Sequence, residues 1–173
     1  LFISCIMASE GSVVSKYNGF EILASGENKK IEFNNPGYEL NQTTQNGIQY
    51  YKLEMNEAGT FSKPGDPFLP TVTTFYAVQP GKTYNASYEI LESDTLSNME
   101  IMPLESWEND LTNSFHKGVS YNQDILFPEN IISVSEPIIM RGLVMIQVSI
   151  TPFQYNPITK NLIVIQNAEI NLT

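Results

Sequence analysis

Few side chains in this chain could do covalent or metal chemistry. The sequence of 173 residues contains one cysteine, Cys5, and one histidine, His116. A nucleophilic thiol needs a nearby base, and these two residues are far apart in the sequence. One thiol and one imidazole also cannot supply the ligand set of a zinc site. We therefore expect no catalytic residue, no metal site and no cofactor in this segment.

Other catalytic patterns are equally weak. The sequence contains no G-x-S-x-G nucleophile elbow and no glycine-rich phosphate loop. With 19 acidic residues, a carboxylate pair for glycoside hydrolysis stays open, but no local pattern favours one. A β-sandwich enzyme that uses carboxylates therefore has no positive support in the sequence.

The long polar stretch from 105 to 122 contains the residues best suited to contact a partner. They are Trp107, His116, Lys117 and Gly118. Lys117 is the only basic residue between Lys82 and Arg141. A lone lysine beside glycine on a long loop could present its ammonium to an acidic pocket, although most lysines on loops are simply solvated.

Two aromatic residues of the same stretch, His116 and Trp107, each have a functional and a purely structural interpretation. His116 could flank such a contact or titrate with external pH, but a lone histidine is more often inert. Trp107 could anchor an interface or could pack within its own loop.

The elements that must position this loop are short strands. Apolar and polar residues alternate along 48–55 and 84–90, and turn residues such as Asn34-Asn35-Pro36-Gly37 separate the runs. No segment combines helical periodicity with helix caps. Short strands at regular spacing predict an all-β fold, an antiparallel β-sandwich of jelly-roll-like type with little or no helix.

The strongest folding signal runs from Glu136 to Leu172. Two groups of apolar residues alternate with polar ones: Ile138, Met140, Val144, Ile146, Val148 and Ile150, then Leu162, Val164, Ala168, Ile170 and Leu172. The turn residues Asn156 to Thr159 lie between them. The pattern predicts one long antiparallel hairpin, with Arg141 in a surface ion pair on the opposite strand face.

Composition limits the partners. The chain is 42% apolar, which suits one domain with a core. Its net charge is −10 with a pI of about 4.4, so neither nucleic acid nor an anionic membrane is an expected partner. The acidity could complement a basic partner, or it could simply keep a β-rich protein soluble.

The first residues are apolar and have a different expected fate. Residues 1–8 resemble the end of a secretory signal peptide, with Ala8 at the cleavage side, and 9–19 read as a linker to a domain over 20–173. An ordinary first strand, or a lipoprotein acylated at Cys5, are the alternatives. No other segment is long and apolar enough for a membrane span, so we expect no membrane insertion after signal cleavage.

Several motifs, taken in order, resemble one known family. The block G-D-P-F-L-P at 65–70, followed by Q-P-G at 79–81, resembles the opening of the propeptide of gingipain-type (family C25) cysteine peptidases. The block P-F-Q-Y-N-P-I-T-K-N-L at 152–162 resembles the C-terminal signature of that propeptide. The motif positions are Gly65, Pro67, Leu69, Pro70, Pro80, Gly81, Pro103, Arg141, Pro152, Tyr155, Asn156 and Pro157.

The resemblance implies a β-sandwich pro-domain that precedes a caspase-like cysteine peptidase, its partner in cis. Such pro-domains assist folding of the peptidase and keep the zymogen latent, with a basic loop residue in or near the S1 pocket. Here Lys117 would be that residue, which favours a lysine preference. The resemblance also implies a secreted or cell-surface protein that passes through the periplasm of a Bacteroidetes-like bacterium. A stand-alone extracellular module that binds glycan or protein is the competing interpretation.

Overall fold

The computed structural model describes residues 19–24, 29–106 and 115–173. The predicted signal-peptide remnant, the linker up to residue 18 and Trp107 lie outside the described residues. Helical structure in the described part is limited to one 3-10 turn, Val119–Asn122.

Strands make up the described domain. They are β1 (Phe20–Ala24), β2 (Lys29–Asn34), β3 (Glu39–Gln45), β4 (Ile48–Glu54), β5 (Val72–Ala77), β6 (Ala86–Leu96), β7 (Ile132–Val134), β8 (Ile138–Met140), β9 (Leu143–Ile150), β10 (Phe153–Asn156) and β11 (Asn161–Leu172).

These strands form two main antiparallel sheets and a separate hairpin. The first sheet has the order β1-β2-β11-β10, and β6 pairs with the other edge of β11. The second has the order β5-β9-β7, and β8 also pairs with β9. Strands β3 and β4 form the hairpin. The predicted all-β, antiparallel sandwich is confirmed.

The main core lies where β9 faces β11. Ile146, Val148 and Ile150 of β9 are fully buried in one apolar cluster with Ala168 and Ile170 of β11. Each large aliphatic side chain buried in this way stabilises the fold by roughly 1.5–3 kcal/mol. The alternating apolar residues of these two strands therefore form the inner faces of two opposed sheets.

A second apolar cluster lies at one end of the sandwich. Leu53, Leu69, Ile101, Phe153 and Tyr155 are all buried in it. They come from β4, from β10 and from two segments outside the strands, so this cluster joins the hairpin to the first sheet.

The predicted single hairpin over Glu136–Leu172 is wrong. Strand β9 pairs with β5, β7 and β8, whereas β11 pairs with β10, β2 and β6, so the two long strands lie in different sheets. The chain crosses between sheets at Thr151 and Pro152. Two strands with one apolar face each can pair side by side in one sheet, or they can lie in two sheets whose apolar faces pack together. Both arrangements give the same alternation, so the sequence pattern could not distinguish them. The turn after Asn156 is present, and it closes the shorter β10–β11 hairpin.

The predicted strand position of Arg141 is also wrong. Arg141 and Gly142 form a two-residue turn between β8 and β9, with φ of 51° and 81°. A two-residue turn pairs Met140 with Leu143, so even-numbered residues before the turn share a face with odd-numbered residues after it. The apolar alternation continues in the sequence, but the face on which it lies changes at the turn. Ile138 pairs with Met145, and it therefore lies on the face opposite Val144.

Candidate functional site

Both ends of the long loop, residues 105–117, are fixed to one residue, Gly65. The Gly65 N–H donates to the carbonyl oxygen of Leu104 at 2.9 Å, and the Gly118 N–H donates to the carbonyl oxygen of Gly65 at 2.7 Å. Leu104 in turn donates to the carbonyl oxygen of Asp66 at 2.8 Å. The two described ends of the loop are therefore held at the same place.

Glycine at both positions allows this close approach. Gly65 is buried and has a φ of +89°, which side-chain-bearing residues rarely adopt. A Cβ on Gly65 would lie 3.2 Å from the Gly118 backbone and 3.2 Å from the Nε2 atom of His116. A Cβ on Gly118 would lie 3.0 Å from the Gly65 oxygen. The glycine of the G-D-P-F-L-P block thus allows the two ends of the loop to meet.

Lys117 lies at the foot of the loop and is held by a carboxylate. Its Nζ donates to Oε1 of Glu100 at 2.6 Å, and Lys160 Nζ lies 2.8 Å from Oε2 of the same residue. The Lys117 ammonium also lies over the rings of Tyr50 and Tyr121, 5.4 and 5.1 Å from their centroids. These five residues are called the Glu100 cluster below.

The charge state of Glu100 follows from its surroundings. Its side chain is only 14% exposed, and this burial alone would raise the pKa of its carboxyl group. Hydrogen bonds from Lys117 and Lys160 outweigh the burial, so the pKa of Glu100 lies below its ordinary value. The same pairing raises the pKa of Lys160. Glu100 is therefore ionised at neutral pH.

Two buried tyrosines fix the backbone on either side of Glu100. The Tyr155 hydroxyl donates to the carbonyl oxygen of Met99 at 2.9 Å, and the Tyr121 hydroxyl donates to that of Ile101 at 2.8 Å. Burial raises the pKa of both hydroxyls, so they stay protonated and act as donors. Tyr155 belongs to the P-F-Q-Y-N-P block, which links that block to the loop base.

The structure brings together part of the predicted site. His116, Lys117 and Gly118 all lie at the loop foot next to Gly65, whereas Trp107 lies outside the described residues. Of the motif positions, the buried ones are Gly65, Pro67, Leu69, Pro70, Pro103, Pro152, Tyr155 and Pro157. Pro80, Gly81 and Arg141 are exposed, and Asn156 is half-buried. Pro67 and Pro103 form an isolated antiparallel β-bridge beside the loop base.

Sequence reasoning missed the partner of Lys117. Met99 to Pro103 reads as an apolar run, and Glu100 is the one charged residue in it. A lone acid within an apolar segment was the available signal, because a half-buried carboxylate needs a cation nearby.

Metal-binding clusters and membrane-spanning helices are absent from the described residues, 19–24, 29–106 and 115–173. These residues contain no group of three or more His, Cys, Asp or Glu side chains placed to hold a metal ion. They also contain no helix that is both long and apolar enough to cross a membrane.

The fold and site together define a class of protein, a β-sandwich domain that fixes both ends of one long loop at a single glycine. The family model described as Propeptide_C25 matches residues 19–173, and the chain belongs to that family of propeptides. The predicted gingipain-type propeptide is confirmed, and this segment is a pro-domain. The family match favours the pro-domain over the competing stand-alone module that binds glycan or protein.

Curated relatives and solved structures agree with this family. Gingipain R2 of Porphyromonas gingivalis is 31% identical over 112 residues, which is 61% of this chain and 15% of that protein. Gingipain R1 from the same organism is 30% identical over 112 residues, 61% of this chain and 11% of the relative. The chain therefore spans only a small part of the length of these relatives.

Two solved structures share the fold. One is described as a complex of Porphyromonas gingivalis RgpB pro- and mature domains, with a TM-score of 0.75 and 23% identity over 90% of this chain and 83% of the other. The second concerns zymogenic latency of gingipain K from Porphyromonas gingivalis, with a TM-score of 0.69 and 18% identity over 97% of this chain and 96% of the other.

Proposed function

We propose that this pro-domain keeps a gingipain-like cysteine endopeptidase of the same precursor latent and assists its folding. The observation that carries the proposal is the long loop, which both Gly65 hydrogen bonds close at its base. Fixing the two ends of a loop removes part of the conformational freedom that would otherwise be lost when it enters a cleft, which favours binding. Membership in the propeptide family and the likeness to a pro-domain solved with its mature domain support the same function.

The precursor would supply the catalytic chemistry. Its peptidase domain, caspase-like and joined in cis, would contribute the cysteine and histidine, and the pro-domain would only cover the cleft. The precursor would be exported through the periplasm and act outside the cell or on its surface, in keeping with the signal-like residues 1–8. The gingipain relatives come from Porphyromonas gingivalis.

The long loop is the segment that we expect to enter the cleft. Lys117 remains the predicted S1 residue, with His116 and Gly118 beside it and Trp107 elsewhere on the loop. To occupy an acidic pocket, the Lys117 ammonium would have to leave Glu100, to which it is bound in the free domain.

Inhibition in trans tests the function. A domain of residues 19–173 is titrated against the mature peptidase domain of the same precursor, with a fluorogenic peptide substrate. We expect inhibition, and Lys117→Ala should weaken it on the order of thirtyfold or more, because truncating one partner of a desolvated charge pair costs about 2 kcal/mol or more. Lys82→Ala, on an exposed turn, is the matched control and should leave inhibition unchanged.

The outcomes separate two claims. A wild-type domain that leaves the peptidase fully active at large molar excess would refute the latency function. Full inhibition by the Lys117→Ala variant would refute only the role of Lys117. The folding role is read from the yield of active peptidase after refolding with and without the domain, followed by its proteolytic removal.

A further inference from the structure

Glu100 binds two lysines through its two separate oxygens. Lys117 reaches Oε1 from the loop foot, and Lys160 reaches Oε2 from the turn between β10 and β11. Lys160 is positioned independently of the loop, since the Met99 N–H donates to its carbonyl oxygen at 2.8 Å. If Lys117 left the carboxylate, Lys160 would therefore still be in place.

The second lysine lowers the cost of releasing the first. The Glu100 side chain is only 14% exposed, and an ionised carboxylate left without a nearby cation there would be strongly disfavoured. With Lys160 present, the negative charge stays compensated. Lys117, by contrast, is 35% exposed, so its side chain has a path to solvent.

Release of Lys117 does not require the loop base to open. The backbone next to Lys117 is fixed by the hydrogen bond from Gly118 to Gly65. A change of side-chain rotamer is enough to move the ammonium off Glu100 and off the Tyr50 and Tyr121 rings. Such rotamer changes are common when pre-organised interfaces form.

We propose that Glu100 and Lys160 are positioning residues that hold Lys117 in the free domain and release it to an acidic pocket of the peptidase. This inference rests on the function proposed above. Glu100 competes with the pocket for the ammonium, and Lys160 takes over the carboxylate when the ammonium leaves. The two residues therefore act on inhibition with opposite signs.

Two substitutions test the opposite signs in the inhibition assay described above. Glu100→Gln removes the competing charge and should tighten inhibition roughly two- to fivefold, the range expected for a partly exposed ion pair. Lys160→Met leaves Lys117 as the one lysine that still binds Glu100. Release of Lys117 would then leave the carboxylate without a cation, so inhibition should weaken by a similar factor. Glu169→Gln is the matched control, because Glu169 forms a comparable ion pair with Lys30 at 2.5 Å on the outer face of a sheet and should change nothing.

The direction in which Glu100→Gln changes inhibition distinguishes a residue that competes for Lys117 from one that merely anchors the loop. If Glu100 merely anchored the loop, both variants would weaken inhibition, and that result would overturn the proposal. Unchanged inhibition in both variants would overturn it as well. Thermal unfolding followed by circular dichroism confirms that each variant is folded at the assay temperature.

A second readout needs no peptidase and separates this inference from the proposed function. The free domain is acetylated with sulfosuccinimidyl acetate, and modification of each lysine is followed by peptide mass spectrometry. Because Glu100 shields the Lys117 amine, Glu100→Gln should speed its acetylation several-fold while leaving Lys82 unchanged. An unchanged Lys117 rate would refute the holding role, even if the wild-type domain inhibits. A wild-type domain that does not inhibit would refute the function and, with it, the release to a pocket.

Discussion

Gly65 is the residue on which the loop base depends. Its φ of +89° would cost a side-chain-bearing residue about 1 kcal/mol, and crowding against Gly118 at 3.2 Å would add about 1–3 kcal/mol. We therefore expect Gly65→Ala to lower the free energy of unfolding by about 2–4 kcal/mol, measured by urea unfolding with circular dichroism.

Gly47 provides the control for this substitution. It has a φ of +77°, and a Cβ there would meet nothing within 4 Å. Gly47→Ala should therefore cost about 1 kcal/mol, the conformational part alone. Equal losses for the two variants would mean that the close approach of Gly65 and Gly118 is not tight.

The loop residues were predictable at this scale, but their contacts were not. Lys117 stood out in the sequence because basic residues are absent around it. The Glu100 cluster joins β4, the segment around Glu100, the loop foot and the β10–β11 turn, and no local period connects those segments. Ion pairs between distant segments are set by tertiary packing, which a single sequence does not encode as a pattern.

The β8–β9 turn allows a test of an element that sequence reasoning misjudged. Arg141 has a φ of 51° and Gly142 one of 81°, a combination in which asparagine followed by glycine is preferred. Arg141→Asn should raise the free energy of unfolding by about 0.5–1 kcal/mol, because asparagine adopts the left-handed conformation at lower cost. Urea unfolding measures the gain.

The sign distinguishes the turn from the strand first predicted. Asparagine is depleted in strands, so the same substitution would destabilise a strand position. Gly142→Ala is the companion variant, and it should lose about 1 kcal/mol at its positive φ. A loss of stability in Arg141→Asn would contradict the turn.

At the scale of elements, the alternating pattern found the long strands but not their partners. Alternation along β9 and β11 correctly indicated the apolar faces that pack in the core, and the other face of β9 is buried as well at Met145 and Ser149. Pairing depends on which edges meet, and the side-chain period carries no information on that choice. The turn at Asn156 was found because its residue types have local conformational preferences, and it closed a shorter hairpin than predicted.

For the whole molecule, the net charge of −10 is concentrated in part on one sheet face. Glu21, Glu32, Glu169 and Glu89 occupy directly paired positions across β1, β2, β11 and β6. Like charges opposite each other are destabilising, so Glu89→Gln should raise the free energy of unfolding by about 0.2–1 kcal/mol at low salt. The gain should shrink in 1 M NaCl, where the Debye length is about 3 Å.

Glu129→Gln removes the same charge from an exposed loop position and should have a smaller effect. Equal gains in stability for the two variants would show that the overall net charge sets the effect and that the pairing of glutamates across the sheet does not. The fold class at this scale was predictable, because composition, turn spacing and alternation all agreed on an antiparallel sandwich.

The closure of the loop at a single glycine has an evolutionary consequence. A segment whose two ends are fixed can change in length at little cost to the frame, since each doubling of its length adds only about 0.6 kcal/mol of closure entropy. Selection can therefore change residues 105–117 while the sandwich, the two glycines and the buried Tyr121 and Tyr155 stay constant. One inherited scaffold could in this way be matched to peptidases whose clefts have diverged.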